Sequence, residues 1–369
     1  MKPIPPDTTR VSRLVVRTPN WLGDMVLALP ALAALRRRFA DAHLTIAVPA
    51  AFAPVFREDT DVQPDDILAL PSAPKAIQKA FAAGQFELGI LLPNSFRSAW
   101  LLRQAGVPQR WGYAKSFRGW MLTKTPVPIP VHGVQHQADY YRSLVRGFGI
   151  PCGDEAPRLR VTPATAQQAL ELLQKSQRAL PTSQRALDVL QKENVDPGRR
   201  LAVLAPGAAY GQAKQWPPDR VAELAARLVR DRDMTCVMVG AGHDRDAARA
   251  IESWLSSHAP DARSRVVDLT ARTTLPELMG VLARADVVVA NDSGAMHLAA
   301  ALGRPVVAIF GPTDERATRP IGPHDVLTAK VFCRPCHLRD CPIDHRCMTR
   351  ISADAVFAAV SSQLAFRRS

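Results

Sequence analysis

Residues 287–302 read VVVANDSGAMHLAAAL, a run in which apolar residues stop abruptly at small and polar ones. Val287 to Ala290 have the unbroken apolar character of a strand that is covered on both faces. The tetrapeptide Asn-Asp-Ser-Gly then favours a turn and a helix N-cap, and apolar residues resume at helical spacing from Met296. Backbone N–H groups and the helix dipole favour an anion at such a junction, so the stretch predicts a phosphate site.

Two interpretations of the polar residues in this stretch stay open. Asp292 and His297 are placed to reach sugar hydroxyls or a phosphate oxygen. Equally, Asp292 or Ser293 caps a helix and His297 is a core histidine. On this stretch alone the structural interpretation is the simpler one.

The same alternation of strand, turn and helix runs through the rest of the chain and predicts parallel sheets covered by helices. A length of 369 residues suits two domains of about 150 to 200 residues each. We therefore predict an α/β protein with two doubly wound, Rossmann-like domains that face a central cleft. Strands are expected at 14–18, 44–48, 88–94, 201–205, 235–239, 266–269, 287–290 and 306–310, and helices at 25–39, 135–148, 219–230, 244–258, 275–285 and 352–366.

Composition sets the domain boundaries. We predict an N-terminal domain over 1–160 and a C-terminal domain over 200–350. Between them, 161–199 is rich in Gln, Ala, Leu and Ser and predicts a helical connector, with short amphipathic helices at 168–174 and 185–191. A terminal helix is expected at 351–369, and it could pack back on the N-terminal domain.

The charge of the chain indicates an anionic partner. A formal net charge of +13 suits nucleic acid, an anionic membrane surface or a phosphorylated substrate. Arginine is spread along the chain, which disfavours a basic nucleic-acid-binding tail. No apolar run approaches the roughly 20 residues that cross a bilayer, and the first residues lack a secretory signal, so a cytoplasmic protein is expected.

Three further loops carry residues suited to chemistry. Asp24 starts a predicted helix, either as an N-cap or as a carboxylate that accepts a proton from a hydroxyl group. Lys214 follows a loop of small residues and could neutralise a phosphate, although the spacing does not match a P-loop and an ordinary surface lysine is the alternative. Asp244 or Asp246, after another strand, could accept a hydrogen bond from a ribose hydroxyl.

Four motifs together resemble the ADP-heptose:lipopolysaccharide heptosyltransferases of glycosyltransferase family 9, most of all the heptosyltransferase II group. They are Asn20-Trp-Leu-Gly-Asp-Met25, Leu92-Pro-Asn-Ser-Phe-Arg-Ser98, Ala205-Pro-Gly-Ala with Lys214-Gln-Trp-Pro217, and Asn291-Asp-Ser-Gly-Ala-Met-His-Leu298 with Phe310-Gly-Pro-Thr313. The resemblance implies a GT-B fold and an inverting transfer that needs no metal or other cofactor. It also implies that Asp24 is the base and Lys214 a phosphate ligand, with a donor-binding loop formed by Asp292, Ser293, Gly294, Ala295 and His297.

The first-domain loops supply candidates for the acceptor. Asn94, Ser95, Arg97 and Arg118 could bind its phosphates and sugars, because a guanidinium fork matches phosphate geometry. Any of these arginines could equally be a solvated surface residue.

The expected reaction is therefore transfer of L-glycero-D-manno-heptose from ADP-heptose to the lipopolysaccharide inner core. We expect a peripheral protein at the cytoplasmic face of the inner membrane, in contact with anionic lipid, and no nucleic-acid partner. Two alternatives remain: a related transferase with another nucleotide-sugar, or a non-catalytic protein that binds a nucleotide-sugar or nucleic acid.

A cysteine-rich segment at 333–347 is the last feature. Cys333, Cys336, Cys341 and Cys347 could hold a structural zinc ion, form two labile disulfides or remain free thiols. Their spacing is not that of a standard zinc ribbon. The segment is expected to be structural and to lie outside the catalytic machinery.

Overall fold

The first sheet of the computed structural model consists of five parallel strands in the order β4-β2-β1-β5-β6. The structure describes residues 11–178 and 199–366, and the chain divides into two units, Met1–Leu159 and Arg160–Ser369. The strands of the first unit are β1 (Arg13–Arg17), β2 (His43–Pro49), β3 (Asp59–Thr60), β4 (Asp66–Leu70), β5 (Leu88–Leu91) and β6 (Gln109–Gly112), and β7 (Leu159–Arg160) lies at the boundary. Its helices are α1 (Leu22–Leu27), α2 (Leu29–Arg38), α3 (Pro74–Ala83), α4 (Phe96–Gln104) and α5 (Gln137–Gly147).

The helix predicted at 25–39 is divided into α1 and α2. Pro30 has no backbone N–H to donate to the preceding turn, so the first helix ends at Leu27 and a new one starts at Leu29. Helix α1 also starts earlier than predicted, with Trp21 as its N-cap. Asp24 therefore lies inside the first turn of α1 and is not the N-cap.

The second unit contains a parallel sheet of six strands in the order β10-β9-β8-β11-β12-β13. Its strands are β8 (Leu201–Ala205), β9 (Thr235–Met238), β10 (Val266–Asp268), β11 (Val287–Asn291), β12 (Val306–Phe310) and β13 (His324–Thr328). Its helices are α6 (Pro163–Arg178), α7 (Pro218–Arg232), α8 (Arg245–His258), α9 (Pro260–Arg263), α10 (Leu275–Arg284), α11 (Gly294–Ala301), α12 (Glu315–Thr318), α13 (Arg346–Thr349) and α14 (Ala353–Phe366). The apolar run 287–290 lies in β11, one of the two central strands, which is buried at all five positions and paired with β8 and β12.

The first half of the expected connector is part of the second unit. Helix α6 packs against α10, where Gly280 allows close approach: a Cβ atom at this position would lie 2.5 Å from Ala169 Cβ and 2.8 Å from the Thr165 carbonyl oxygen. The expected connector is therefore helical over 163–178, and this helix buries Ala169 and Leu173. The second helix expected there, at 185–191, lies outside the described residues.

The terminal helix also packs within the second unit. Its apolar face, Val356, Val360 and Leu364, is buried in the core formed by the six-stranded sheet and α7. These side chains complete the core of their own unit, and the packing against the N-terminal domain that was considered from the sequence stays a prediction. Among the described residues, no helix is both long and apolar enough to cross a membrane.

Candidate active site

The polar motifs of the second unit meet where its strand order reverses. Strands β8 and β11 are neighbours in the centre of the sheet, and the chain continues from them toward opposite edges. Ligands of doubly wound sheets bind at this position, beyond the carboxyl ends of the strands. Asn291, at the end of β11, joins the two loops there: its Nδ2 donates to the Pro206 carbonyl at 2.5 Å, and its Oδ1 accepts from the Trp216 N–H at 3.3 Å.

A buried ion pair lies at this edge. Lys214 Nζ is 2.5 Å from Asp292 Oδ2, and the side chains are only 12% and 7% exposed. Thr313 Oγ1 donates to the same Asp292 oxygen at 2.8 Å, and Lys214 Nζ also lies 4.7 Å from the centroid of the Tyr210 ring. The structure thus brings together Lys214 and Asp292, which are far apart in sequence. In this arrangement Asp292 positions the lysine and the Thr313 loop.

The start of helix α11 lies directly after this pair. Ser293 is its N-cap residue, with extended backbone and no capping bond from its side chain. Within the part of the chain that the structure describes, the buried Ser293 Oγ has no hydrogen-bond partner. The first N–H groups of a helix have no intrahelical acceptor, so the amides that include Gly294 and Ala295 are suited to an anion. His297 is buried one turn further along.

The two acidic residues proposed for the ribose do not join this cluster. Asp244 is buried and accepts from the Ala241 N–H at 2.8 Å, and a Cβ atom on Gly207 would lie 2.2 Å from its carboxylate. It therefore braces the loops that follow β8 and β9. Asp246 is 87% exposed and pairs with Arg249 on the outer face of α8. The assignment of these two carboxylates to a ribose hydroxyl stays a prediction.

The cysteine-rich segment contacts the Lys214 loop directly. Tyr210 Oη donates to the His337 carbonyl at 2.8 Å, and the Ala213 N–H donates to the Arg339 carbonyl at 2.9 Å. His345 Nε2 lies 2.7 Å from the Ala213 carbonyl oxygen. The segment, which was expected to lie outside the catalytic machinery, therefore contacts the loop that contains Lys214. We call residues 334–345 the clamp.

The clamp also holds the loop that contains Thr313. The N–H groups of Cys336 and His337 donate to the Pro312 carbonyl at 3.0 and 2.9 Å, and Arg334 Nη2 donates to the Thr313 carbonyl at 3.0 Å. One segment thus fixes both loops that contact Asp292. No sequence pattern indicates this, because each of these contacts includes a backbone group, which every residue possesses.

The four C-terminal cysteines are free thiols, one of the three states considered. Cys336 and Cys341 are exposed, whereas Cys347 is buried. Burial and the nearby thiols of Cys333, Cys336 and Cys341 raise the pKa of Cys347 to about 11. Among the described residues, no group of three or more His, Cys, Asp or Glu side chains is arranged to hold a metal ion. The structural zinc considered from the spacing stays a prediction.

Asp24 lies at the corresponding edge of the first sheet. Strand β1 leads into the loop before α1, and Asp24 is partly buried in the first turn of that helix. The neighbouring strand β5 leads into the loop 92–95, so the two loops flank the position where this sheet reverses its strand order. The Tyr141 phenol is close to Asp24: burial, followed by the Asp24 charge, raises the pKa of Tyr141.

Arg118 is not available to a ligand. It is fully buried, and its guanidinium donates to the Pro93 carbonyl, to the Tyr113 carbonyl at 2.9 Å and to Ser98 Oγ at 3.1 Å. Burial lowers its pKa to about 10, which leaves it charged near neutrality. The acceptor-binding assignment of Arg118 is therefore corrected: it is a positioning residue that ties the 93–98 loop to the 113–118 loop.

The other acceptor candidates are part of that loop. Ser95 caps α4 by accepting from the Ser98 N–H, Asn94 Nδ2 donates to Tyr140 Oη at 2.6 Å, and Arg97 is exposed. Arg17, at the end of β1, was missed in the sequence. Burial and repulsion from Arg97 lower the pKa of Arg17 to about 10. Two guanidinium groups near each other at one sheet edge favour a phosphate between them.

Comparison with solved structures defines the class of fold. The Escherichia coli structure described as ADP-heptose lps heptosyltransferase II superposes with a TM-score of 0.78 and 23% sequence identity, over 97% of this chain and 100% of that one. The E. coli heptosyltransferase WaaC with ADP gives a TM-score of 0.67 at 20% identity, over 95% of this chain and 99% of that one. The predicted GT-B fold, with two Rossmann-like domains, is thereby confirmed.

Sequence comparison gives the family. The profile described as glycosyltransferase family 9 (heptosyltransferase) matches residues 75–346, well over half of the chain. The chain belongs to glycosyltransferase family 9. It is 26% identical over 317 residues to lipopolysaccharide heptosyltransferase 2 of E. coli K12, covering 84% of this chain and 85% of that protein. It is 28% identical over 327 residues to lipooligosaccharide heptosyltransferase 2 of Haemophilus influenzae, covering 84% of this chain and 86% of that protein.

Proposed function

We propose that this glycosyltransferase moves L-glycero-D-manno-heptose from ADP-heptose to the inner core of lipopolysaccharide, with inversion at the anomeric carbon and without a catalytic metal. The observation that carries the proposal is the buried Lys214–Asp292 pair at the start of α11, in a chain whose relatives are heptosyltransferases. A positive charge beside a helix N-terminus suits the diphosphate of a nucleotide-sugar.

The donor residues act on the leaving group. As the bond from the anomeric carbon to the diphosphate breaks, ADP gains negative charge. Lys214 stabilises that charge, together with the N–H groups that follow Ser293 and the Ser293 hydroxyl, which has no partner among the described residues. Asp292 and the clamp keep Lys214 in place, so little reorganisation is needed during the reaction.

Asp24 acts on the acceptor. Its carboxylate accepts the proton of the acceptor hydroxyl while that oxygen forms the new bond to the anomeric carbon. Partial burial beside Tyr141 keeps bulk water from competing for the carboxylate. Arg17 and Arg97 then bind phosphate groups of the inner core, and Asn94 and Ser95 shape the same loop.

The acceptor determines where the protein works. We propose peripheral contact with the cytoplasmic face of the inner membrane, because a net charge of +13 attracts anionic lipid as well as acceptor phosphate. No step requires zinc or another cofactor, and nucleic acid is not a proposed partner.

Product analysis tests the proposed activity. The full-length chain is incubated with ADP-heptose and a deacylated inner-core acceptor, and the products are examined by mass spectrometry and NMR. We expect one added heptose with inverted anomeric configuration and release of ADP. ADP-glucose and UDP-N-acetylglucosamine serve as competing donors: turnover with one of these and not with ADP-heptose would support a related transferase. Nucleotide-sugar binding with no turnover would support the non-catalytic alternative.

A further inference from the structure

Three exposed aromatic rings lie together on the first unit, and a fourth exposed ring, Phe117, is three residues from one of them in the chain. Phe96 and Trp100 belong to α4, Trp120 to the short 3₁₀ helix Gly119–Met121, and Phe117 to the loop before it. The ring centroids of the first three are 6.2 to 6.4 Å apart. Their exposed fractions are 43%, 39% and 59%, and Phe117 is 94% exposed. We call these four residues the aromatic surface.

The loop holds Phe117 in water at a conformational cost. Ser116 and Phe117 have φ angles of 56° and 55°, in the left-handed region that residues other than glycine rarely adopt. Buried Arg118 maintains this backbone through its hydrogen bonds to the Tyr113 carbonyl and the 93–98 loop. The protein thus fixes a large apolar ring where nothing within its own unit covers it among the described residues.

The segment that carries the aromatic surface is basic in sequence. Between Glu87 and Asp139 the sequence has no acidic residue, whereas it has six basic ones: Arg97, Arg103, Arg110, Lys115, Arg118 and Lys124. The Arg103 guanidinium lies 4.4 Å from the centroid of the Trp120 ring, and Arg103 and Lys115 are both exposed. Exposed aromatic rings with a guanidinium beside them are complementary to an anionic interface whose interior is apolar.

We propose that the aromatic surface docks on an anionic lipid bilayer, with the rings entering the headgroup region and Arg103 and Lys115 contacting lipid phosphates. Trp favours this interfacial zone, and each nearby basic residue strengthens attraction to anionic lipid. A second copy of the chain is disfavoured as the occupant, because it would bring two basic surfaces together. Arg97 follows Phe96 directly on α4, so docking would bring the acceptor-binding loop to the membrane.

This inference rests on the membrane contact in the proposed function and assigns that contact to a surface. Phe117→Asn is the main variant. It removes the ring, and Asn tolerates left-handed backbone better than Phe, so thermal stability should be unchanged or higher. Phe332→Asn is the matched control, because Phe332 is 80% exposed and lies in the second unit. Arg103→Gln tests the charge.

Binding is measured by co-sedimentation of the full-length chain with vesicles of equimolar phosphatidylglycerol and phosphatidylcholine, and with phosphatidylcholine alone. We expect salt-sensitive binding to the anionic vesicles, on the order of tenfold weaker binding for Phe117→Asn and about fivefold weaker binding for Arg103→Gln. Phe332→Asn should bind like the unsubstituted chain.

Equal vesicle binding by Phe117→Asn and the unsubstituted chain would overturn the proposal, as would an equal loss in Phe332→Asn. The proposal would also be overturned if the unsubstituted chain self-associates and Phe117→Asn abolishes that self-association while vesicle binding stays the same. Transfer to a deacylated, soluble acceptor separates the two proposals: Phe117→Asn should retain it fully. If the unsubstituted chain binds vesicles but lacks that activity, the proposed function fails and the docking surface stands.

Discussion

Replacement of Lys214 by methionine should weaken ADP binding and destabilise the second unit for two separable reasons. Removal of the ammonium group takes away a charged contact to the diphosphate, which is typically worth about 1.5 to 3 kcal/mol, or roughly ten- to a hundredfold in affinity. The same change leaves Asp292, which is 7% exposed, without its ion-pair partner. Breaking a buried pair costs about 3 to 5 kcal/mol.

The lower end of that range applies here. Thr313 Oγ1, at 2.8 Å, continues to donate to the Asp292 carboxylate, so we expect a loss of about 3 kcal/mol. Adding Asp292→Asn to the Lys214→Met chain replaces the unpaired carboxylate with a neutral amide. The double variant Lys214→Met/Asp292→Asn should therefore regain most of the stability, to within about 1 kcal/mol of the unsubstituted chain, and still bind ADP weakly.

Urea denaturation and isothermal titration calorimetry with ADP provide the two measurements. A stable double variant that binds ADP poorly would assign Lys214 to the diphosphate. Unchanged ADP affinity in both Lys214 variants would refute the phosphate role, and full stability of the single variant would refute the importance of the buried pair.

Three further predictions concern the clamp, the thiols and the helix packing. His345→Ala should raise the KM for ADP-heptose several-fold and leave the acceptor KM unchanged, because the Ala213 carbonyl loses its contact to the imidazole. Initial rates measured against each substrate give the two KM values, and His258→Ala on α8 is the control. Because its pKa is about 11 when folded and 9.0 otherwise, Cys347 favours folding below about pH 9 and loses that contribution as the pH rises toward 11. Iodoacetamide at about pH 8 should accordingly modify exposed Cys336 and Cys341 before Cys347, and equal rates in a peptide mass map would contradict this order. Gly280→Ala should destabilise the chain by about 1 to 3 kcal/mol, since its Cβ would lie 2.5 Å from Ala169 Cβ. In Gly242→Ala the new Cβ would meet open space, so the melting temperature should be unchanged. Equal melting temperatures for the two variants would rule out the close contact at Gly280.

The positions of most strands followed from local sequence. The run 287–290 predicts a strand covered on both faces because nothing in it is polar, and β11 is one of the two central strands of its sheet. Its polar loop was also placed correctly relative to Lys214, since parallel strands bring their carboxyl ends to one edge. Periodicity and turn chemistry are local properties, so a sequence expresses them directly.

The errors came from contacts between distant residues. Arg118 and Arg97 look alike in sequence, yet one is buried among carbonyl oxygens and the other is exposed. Asp244 and Asp246 differ in the same way, since one packs against Gly207 and the other faces solvent. The clamp acts largely through main-chain groups, which every residue possesses. Tertiary packing decides such cases, and local pattern cannot express it.

The most direct test of the proposed mechanism is the rate of heptose transfer by Asp24→Asn. The substitution keeps the shape of the side chain and removes its ability to accept a proton, so kcat should fall by about a hundredfold or more. The affinity for ADP-heptose, measured by calorimetry, should change by less than about twofold, because Lys214 and the start of α11 are intact. Transfer at the unsubstituted rate with normal donor binding would contradict the assignment of Asp24 as the base.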